Sequence, residues 1–332
     1  MKPCILIFGM PRSGTTWVGK LFDSHPDTLY RHEPDSVRKL SFPRFPDLKD
    51  AGRYREELEQ FVASLPRMWS SEVVGKQPLF PKSYQSHAAL TAYRTCVVAS
   101  KAASRVWRHF PCMFRPTGEN QERVRVVWKS IESPGRLGVC VEALPTVRAI
   151  HLMRHPCGYV ASVLRGRTAR RFAHSEPSDD WLLKMLFETP AGRARGMTAR
   201  DLDQLTLEER LAWCWVLTHE KIIADVAQSE QVMTVRYEDV CVDPKTVTRR
   251  MLEFTGLDWQ AQVERFILAS TQSEGTGYYS VFKNPDASAE RWRSELASPA
   301  VDRIMRVLRS SEMYRFYRDS ANVPLATAGA AS

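Results

Sequence analysis

The sequence predicts an α/β fold in which a parallel sheet is flanked by helices, and three observations support this prediction. Four short apolar runs, at 4–8, 124–130, 147–155 and 231–240, have the composition of buried strands. The first run stops at Gly9 and is followed by an amphipathic stretch with apolar residues at helical spacing. Helical patterns also lie between the later runs. Such alternation is typical of a parallel sheet covered by helices on both faces.

The first unit along the chain reads as strand, loop and helix. The strand is CILIF, the loop is Gly9–Thr16, and the helix runs from Thr15 to Ser24. The loop has the glycine spacing of a nucleotide triphosphate loop, but Thr15 stands where such a loop has lysine, and the nearest cation is Arg12. Backbone N–H groups of a glycine-rich turn at a helix start bind anions whatever the side chains are. The sequence therefore predicts a three-layer, P-loop-type sheet with an anion site.

Two segments interrupt this alternation and are predicted to be insertions. Residues 35–115 contain helical patterns at 54–65 and 84–110, separated by prolines, while 168–205 is rich in arginine, glycine and acidic residues. Elsewhere, Asp243-Pro244 begins a further helix that ends at Gly256, and TLYRHE reads as a short strand next to the anion loop. No convincing linker divides the chain. We therefore expect a single domain, 1–332, whose two insertions form the acceptor site and a mobile lid.

Composition limits the class of protein. The chain has 332 residues, 43% of them hydrophobic, which is enough for a substantial core. The net charge of +9 favours a polyanionic ligand or reflects a solvated basic surface. The seven cysteines are scattered without a C-x-x-C pair, which argues against a disulfide framework or a zinc site. The apolar run after Met1 is too short for a secretory signal or a membrane span, so we expect a cytoplasmic protein.

A second anion-binding motif begins at the end of the third strand. Arg154 stands where a magnesium-binding loop protein would carry an acid, and Ser162 follows eight residues later on a helix expected after Pro156. The first turns of that helix bring Ser162 back towards the loop. An arginine and a hydroxyl suit a second phosphate. The pattern indicates that cations, rather than a metal ion, bind the nucleotide.

With these motifs the sequence resembles the sulfotransferases that use 3′-phosphoadenosine 5′-phosphosulfate (PAPS). The family's loop for the 5′-phosphosulfate stands here as Arg12-Ser13-Gly14-Thr15-Thr16-Trp17, and its motif for the 3′-phosphate stands as Arg154 through Ser162. Its V-R-Y-E-D strand motif appears as Val235–Val240. The resemblance covers roughly residues 4–33 and 124–310. It implies transfer of a sulfuryl group from PAPS to a hydroxyl or amine, with 3′,5′-ADP as the other product.

The resemblance also implies roles for catalytic residues. Arg12 neutralises charge on the leaving oxygen, and Lys129 contacts the sulfonate or the bridging oxygen. Relatives with arginine in the loop, such as the tyrosylprotein and other Golgi-type enzymes, tend to use a carboxylate as acceptor base, and Glu33 stands near the corresponding position. Cytosolic-type relatives have a histidine where this chain has Ile131. Glu33 is therefore the predicted base and His32 its rival, while a structural salt bridge from Glu33 to Arg12 or Arg31 is the alternative.

Nucleotide binding is predicted for a larger set of residues that belong to, or follow, these motifs. The set is Arg12, Ser13, Gly14, Thr15, Thr16, Trp17, Arg154, Ser162, Tyr237 and Lys283. For Trp17 and Tyr237 the choice lies between contact with adenine and a place in the core. For Lys283 it lies between the 3′-phosphate and an exposed loop. The basic run at 165–171 either steers an anion or is a solvated surface.

Two other functions compete with sulfuryl transfer. A nucleoside or small-molecule kinase would need magnesium and ATP, and a silent nucleic-acid-binding protein would use the positive charge without a recognisable nucleic-acid module. We expect no nucleic acid partner, no metal and no membrane span. The sequence does not identify the acceptor, which stays open among carbohydrate, lipid headgroup, peptide tyrosine and small molecule. The Golgi-like motif leans towards carbohydrate or peptide.

Overall fold

A five-stranded parallel sheet forms the centre of the fold. The computed structural model describes residues 4–68, 70, 72–73, 77–103, 124–168, 179–272 and 285–318. In these ranges the strand order is β2-β3-β1-β4-β5, and every neighbouring pair is parallel. The strands are β1 (Cys4–Phe8), β2 (Thr28–His32), β3 (Arg125–Ser130), β4 (Arg148–Met153) and β5 (Val232–Arg236).

Helices connect and cover the strands. The α-helices are α1 (Thr15–Asp23), α2 (Pro34–Val37), α3 (Ala51–Ser64), α4 (His87–Ala103), α5 (Leu137–Ala143), α6 (Pro156–Thr168), α7 (Asp179–Phe187), α8 (Pro190–Ala194), α9 (Leu207–Asp225), α10 (Tyr237–Val242), α11 (Pro244–Phe254), α12 (Ala261–Gln272), α13 (Pro285–Glu290), α14 (Trp292–Glu295) and α15 (Ser298–Arg309). Short 3-10 helices lie at Leu48–Asp50, Leu65–Arg67, Pro134–Arg136, Ala199–Gln204 and Glu312–Phe316.

The two faces of the sheet have separate cores, because successive side chains of a strand point to opposite faces. In β1, Leu6 and Phe8 pack with α3 and α5, whereas Ile5 and Ile7 pack with α1, α11 and α12. All four side chains are almost completely buried. The continuous apolar run of the first strand is thus explained by burial on both faces, and the three layers confirm the predicted fold class.

The carboxyl ends of all five strands lie at one edge of the sheet, since all pairs are parallel. From β1 the chain passes to β2 and then β3, which lie on one side of β1. Strands β4 and β5 lie on the other side of β1. Loops after β1 and β4 therefore diverge at a point where the winding reverses. Such switch points are where open α/β sheets bind ligands.

The structure changes two of the local predictions. The last strand ends at Arg236, and α10 begins at Tyr237, so Tyr237, Glu238 and Asp239 of the V-R-Y-E-D motif are helical. The short strand β2 pairs with β3 rather than with β1, and it is therefore one strand removed from the anion loop instead of next to it. Residues 104–123 lie outside the described part of the chain, and so does the end of the helix predicted to reach Phe110. The single domain and its two insertions stay a prediction.

Buried histidines tie the sheet to α9. The Nε2 atom of His151 in β4 lies 3.0 Å from Nδ1 of His219 in α9, and both side chains are fully buried. One imidazole must therefore donate a hydrogen bond and the other accept it, so at least the accepting ring is neutral. Burial lowers the pKa of His151 to about 3 and also lowers the pKa of His219 well below its usual value.

This pair predicts that acid destabilises the fold. The unfolded chain binds protons at both imidazoles below about pH 6.5, whereas the folded chain does not until the pH approaches the lowered pKa values. Stability is therefore lost as the pH falls from about 6.5, at about 1.4 kcal/mol per pH unit for each imidazole. Urea unfolding measured at pH 7 and pH 5 checks this. A His151→Gln, His219→Gln double variant should lose less stability over that interval, and an equal loss would contradict the assignment.

Candidate active site

The loop between β1 and α1 has a tight backbone with no room for a side chain at either of its two glycines. Gly14 has a φ of 87°, and a Cβ atom at this position would lie 2.2 Å from the ring of Tyr237. A Cβ atom on Gly9 would lie 2.6 Å from the carbonyl oxygen of Leu152. Arg12 also has a positive φ, of 71°, although it carries a side chain. Both glycines of the motif are therefore required by close packing, and the loop turns tightly into α1.

The structure brings the two anion-binding motifs of the sequence into contact. Nε of Arg12 donates a hydrogen bond of 3.1 Å to Oγ of Ser162 in α6. Nη1 of Arg154 donates one of 3.0 Å to the carbonyl oxygen of Arg12. Nη2 of Arg154 donates another of 2.7 Å to the carbonyl oxygen of Ser288. Arg154 thus links the loop after β1, the end of β4 and α13 at the point where the sheet reverses its winding.

Unsatisfied polar atoms mark this loop as a place where an anionic ligand fits. Among the described residues, Oγ of Ser13 and Nε of Arg154 are buried and have no hydrogen-bond partner. A buried donor without a partner is costly, and it is satisfied when a ligand supplies oxygen atoms. The first N–H groups of α1 face the same requirement, because a helix start leaves them without intrahelical partners. Thr15 is buried and Thr16 half-buried in this first turn. The donor set suits the phosphate and sulfonate oxygens of a nucleotide.

Trp17 and Tyr237 both lie in the core beside the loop. Trp17 is 8% exposed, and its Nε1 donates a 3.1 Å hydrogen bond to Oγ of Ser270. Its ring meets Tyr237 edge to face, with centroids 6.2 Å apart. The guanidinium carbon of Arg154 lies 5.0 Å from the centre of the Tyr237 ring, and burial raises the pKa of that phenol. Tyr237 therefore lies between Trp17 and Arg154 in the core. Contact of either ring with adenine stays a prediction.

Glu33 and Lys129 form an ion pair at the same edge of the sheet. Lys129 is the penultimate residue of β3, and its Nζ contacts Oε1 of Glu33, which follows β2 directly. The backbone N–H of Glu33 also donates a 2.8 Å hydrogen bond to the carbonyl oxygen of Lys129. Glu33 has a left-handed backbone with a φ of 47°, a conformation that costs about 1–2 kcal/mol for a residue with a Cβ. The cost is offset by these contacts, and the carboxylate is held at the edge of β3.

Exposure and charge differ between the two members of the pair. Its side chain is 21% exposed, whereas that of Lys129 is 1% exposed. Burial lowers the pKa of Lys129, and the negative charges of Glu33 and Asp35 oppose this effect. Arg31, a suggested salt-bridge partner, instead donates to the carbonyl oxygens of Leu65, Tyr30 and Pro66. The carboxylate is thus accessible to an acceptor, and Lys129 is one of its partners.

His32 contacts the same carboxylate. Its Nε2 lies 3.5 Å from Oε1 of Glu33, and its Nδ1 lies 3.0 Å from the hydroxyl of Tyr30. Each ring nitrogen of His32 therefore has a polar neighbour. This arrangement favours an orienting role for His32 over the role of acceptor base, because Glu33 is the more exposed of the two side chains.

The remaining predicted residues are Lys283 and those of the basic run. Lys283, Arg170 and Arg171 lie outside the described residues. In the same basic run, Arg165 forms an ion pair with Glu295 and donates to Ser162. Across the described ranges, no group of three or more histidine, cysteine, aspartate or glutamate side chains is arranged to hold a metal ion. None of the helices in those ranges is both long and apolar enough to cross a membrane.

Asp35 is a candidate site residue that the sequence analysis missed. It is buried beneath the Glu33–Lys129 pair, at 3% exposure, and accepts hydrogen bonds from Trp128, Ser130 and Ser133. The sequence holds no local signal for it, because an acidic residue directly after Glu33-Pro34 resembles a surface position unless β2 and β3 are known to be neighbours. The pairing of these strands is a tertiary feature, so the sequence alone did not reveal it.

Comparison with known proteins assigns this arrangement to a family. The family model described as "Sulfotransferase family" matches residues 3–261, which is most of the chain. The chain belongs to the sulfotransferase family. Its predicted class is confirmed: the enzyme is a PAPS-dependent sulfotransferase, and the kinase alternative is not favoured.

Curated relatives of the enzyme carry a more specific name. Carbohydrate sulfotransferase 1 of Rattus norvegicus is 26% identical over 327 residues, covering 89% of this chain and 74% of the relative. Carbohydrate sulfotransferase 5 of Mus musculus is 26% identical over 329 residues, covering 90% and 77%. Among solved structures, the sulfotransferase domain from the curacin biosynthetic pathway aligns with a TM-score of 0.44 and 16% identity, covering 94% of this chain and 99% of that one. The cytoplasmic location of the enzyme stays a prediction.

Proposed function

We propose that the enzyme transfers the sulfuryl group of PAPS to a hydroxyl group of a carbohydrate, with Glu33 as the acceptor base. The observation that carries the proposal is the contact between Glu33 and Lys129. It lies at the edge of the sheet where the loop that contains Arg12 follows β1. A proton acceptor and two cations then surround one reaction centre. Three strand ends supply them, which fits a transfer between two bound substrates.

Nucleotide binding is assigned to the residues of the two motifs. The loop Arg12–Thr16 offers the Ser13 hydroxyl and the N–H groups at the start of α1 to the 5′-phosphosulfate. In this proposal Arg154 and Ser162 bind the 3′-phosphate. The supporting observation is that Nε of Arg154 is a buried donor without a hydrogen-bond acceptor among the described residues. These side chains already contact one another through Arg12, so little reorganisation is needed to bind the donor.

The transfer step relies on charge placed in advance. When bound, PAPS would supply an activated sulfuryl group, and the bond from sulfur to the 5′-phosphate oxygen would break to release 3′,5′-ADP. Arg12 and Lys129 neutralise the charge that grows on the leaving oxygen, and their positions are set before reaction by Ser162 and Glu33. Glu33 takes the proton of the acceptor hydroxyl as the new bond to sulfur forms. Its 21% exposure leaves a path for the acceptor to reach it.

Carbohydrate is favoured over the other acceptor classes by the relatives. Relatives that align with about nine tenths of this chain carry the name carbohydrate sulfotransferase. The test is a panel of acceptors incubated with PAPS and enzyme: neutral and acidic mono- and oligosaccharides, a tyrosine peptide, and a lipid headgroup. Mass spectrometry should show a gain of one sulfate on a saccharide. Sulfation of the peptide or headgroup alone would refute the carbohydrate acceptor.

Turnover is expected to persist in EDTA. In the proposed mechanism Arg12 and Lys129 neutralise the charge that magnesium neutralises in phosphoryl transfer by loop proteins, so the reaction should not need a metal ion. The measurement is the rate of 3′,5′-ADP formation with PAPS and the acceptor saccharide, in excess EDTA and in added magnesium. Full loss of rate in EDTA that magnesium restores would contradict the assignment of these two cations.

A further inference from the structure

We infer that Asp35 is a positioning residue of the transfer reaction: it fixes the end of β3 and the start of α2 so that Lys129 and Glu33 meet. The inference rests on the proposed function of that pair. It concerns a side chain that reaches neither substrate and acts through its neighbours. The arrangement of its hydrogen bonds carries the argument.

Both oxygens of the Asp35 carboxylate accept hydrogen bonds from β3 and the loop after it. Oδ1 accepts a 3.2 Å hydrogen bond from Nε1 of Trp128. Oδ2 accepts one of 2.5 Å from Oγ of Ser130 and one of 2.6 Å from Oγ of Ser133. Each donor is buried, and so is the carboxylate. Buried polar groups that satisfy one another in this way hold a single geometry, because a shift would leave several of them unpaired.

Two of these donors stand on either side of Lys129 in β3. Trp128 and Ser130 point to one face of the sheet, and Lys129 points to the other, since side chains alternate along a strand. By holding both neighbours from one face, Asp35 fixes the backbone from which Lys129 projects. Oγ of Ser130 also accepts hydrogen bonds from the backbone N–H groups of Glu132 and Ser133, at 3.0 and 2.9 Å. The turn that follows Lys129 is held by the same hydroxyl.

Asp35 also fixes the other member of the pair. Glu33 precedes Pro34, the first residue of α2, and has the left-handed backbone described above. The segment is tied to β3 at two points: the N–H of Glu33 bonds to the carbonyl oxygen of Lys129, and the carboxylate of Asp35 bonds to Trp128 and Ser130. With one tie on each side of Pro34, the left-handed turn is maintained. The Glu33 carboxylate is then directed at Nζ of Lys129.

The charge of Asp35 has a second consequence for Lys129. Lys129 is buried, which disfavours its cationic form, and Asp35 is one of two negative groups that favour it. All three partners of Asp35 have hydrogens to donate, so the ionised carboxylate is the form that their geometry suits. Burial nevertheless raises the pKa of Asp35. Its charge is thus maintained by the three donors.

The experiment compares Asp35→Asn with wild type on the saccharide that the acceptor panel identifies. Asparagine keeps the size but lacks the second acceptor oxygen and the charge. We expect kcat to fall about 10- to 100-fold, the range expected when reacting groups are misplaced. KM for the acceptor and the affinity for 3′,5′-ADP should stay within about threefold, since Asp35 contacts neither. A loss of 3′,5′-ADP affinity in step with kcat would overturn the inference.

A double variant separates positioning from general support of the fold. If Asp35 acts through Lys129 as well as Glu33, then adding Asp35→Asn to Lys129→Ala should lower the remaining kcat by less than Asp35→Asn lowers it alone, because one of the two residues to be positioned is gone. An undiminished 10- to 100-fold further loss would show that Asp35 acts elsewhere and would overturn the inference. Wild-type turnover is the reference. Absence of saccharide sulfation by wild type refutes the proposed function, whereas normal turnover by Asp35→Asn refutes only the role of Asp35.

Ser130→Ala and Ser133→Ala form a matched pair that remains informative if Asp35→Asn does not fold. Both hydroxyls donate to the same oxygen of Asp35, but only Ser130 is adjacent to Lys129. Ser130→Ala should lower kcat at least about tenfold more than Ser133→Ala at similar thermal stability. Equal kcat values for the two variants would overturn the inference.

Discussion

Replacing Glu33 with glutamine is expected to lower kcat by about 10² to 10⁴ while leaving the affinity for 3′,5′-ADP nearly unchanged. Glutamine keeps the size of the side chain, and its amide oxygen can still accept a hydrogen bond from Nζ of Lys129. What it loses is the ability to take the acceptor proton. The expected range is the usual contribution of a general base.

The measurements are kcat with the acceptor saccharide that the panel identifies, 3′,5′-ADP affinity by calorimetry, and thermal stability. His32→Gln is the matched control, since His32 contacts the same carboxylate at 3.5 Å. A rival base at His32 would reverse the order of the two losses. If Glu33 serves only as the ionic partner of Lys129, the glutamine variant should lose stability and 3′,5′-ADP affinity in step with activity. A folded variant that binds 3′,5′-ADP normally and retains more than about a tenth of kcat would remove Glu33 from the mechanism.

Replacing Arg154 with alanine is expected to weaken binding of 3′,5′-ADP by about 2 to 4 kcal/mol, which is roughly 30- to 1,000-fold in Kd. Arg154 is 9% exposed, so its bond to a phosphate would form with little competition from water. Its Nε, a buried donor without a partner among the described residues, is the atom that the 3′-phosphate would satisfy.

The control ligand is adenosine 5′-phosphosulfate, which lacks the 3′-phosphate. Its affinity should change little, even though Arg154 also donates to the carbonyl oxygen of Arg12 and so supports the loop. Calorimetric titration of both ligands into wild type and variant gives the comparison. Equal losses for the two ligands would show that Arg154 supports the loop and does not recognise the 3′-phosphate. Arg154→Lys, which keeps the charge, should recover part of the lost affinity.

Much of the fold could be predicted from local patterns. The run Cys4–Phe8 is buried on both faces, and its continuous apolar composition reports this directly. The glycines of the following loop are required by contacts that no side chain permits, so they are visible as a motif. The R-x7-S pattern from Arg154 to Ser162 spans a strand end and two turns of α6, and its geometry is therefore fixed by short-range structure.

Boundaries were less well predicted where local patterns compete. The V-R-Y-E-D motif has β-branched and aromatic residues that favour a strand, but the strand ends at Arg236. Tyr237 instead turns into α10, where its ring packs against Gly14 and Trp17. Packing of one aromatic ring in the core outweighed the strand preference of its neighbours, and that packing depends on residues more than two hundred positions away.

The sequence by itself determined the strands, the anion-binding loop and the class of chemistry, because each depends on residues close together along the chain. Only the tertiary structure decided the order β2-β3-β1-β4-β5, and with it the partner of Glu33. Glu33 meets Lys129, 96 residues later, because β2 pairs with β3. Asp35 reaches Ser130 for the same reason. Strand pairing depends on burial and hydrogen bonds between distant segments, which no local periodicity encodes.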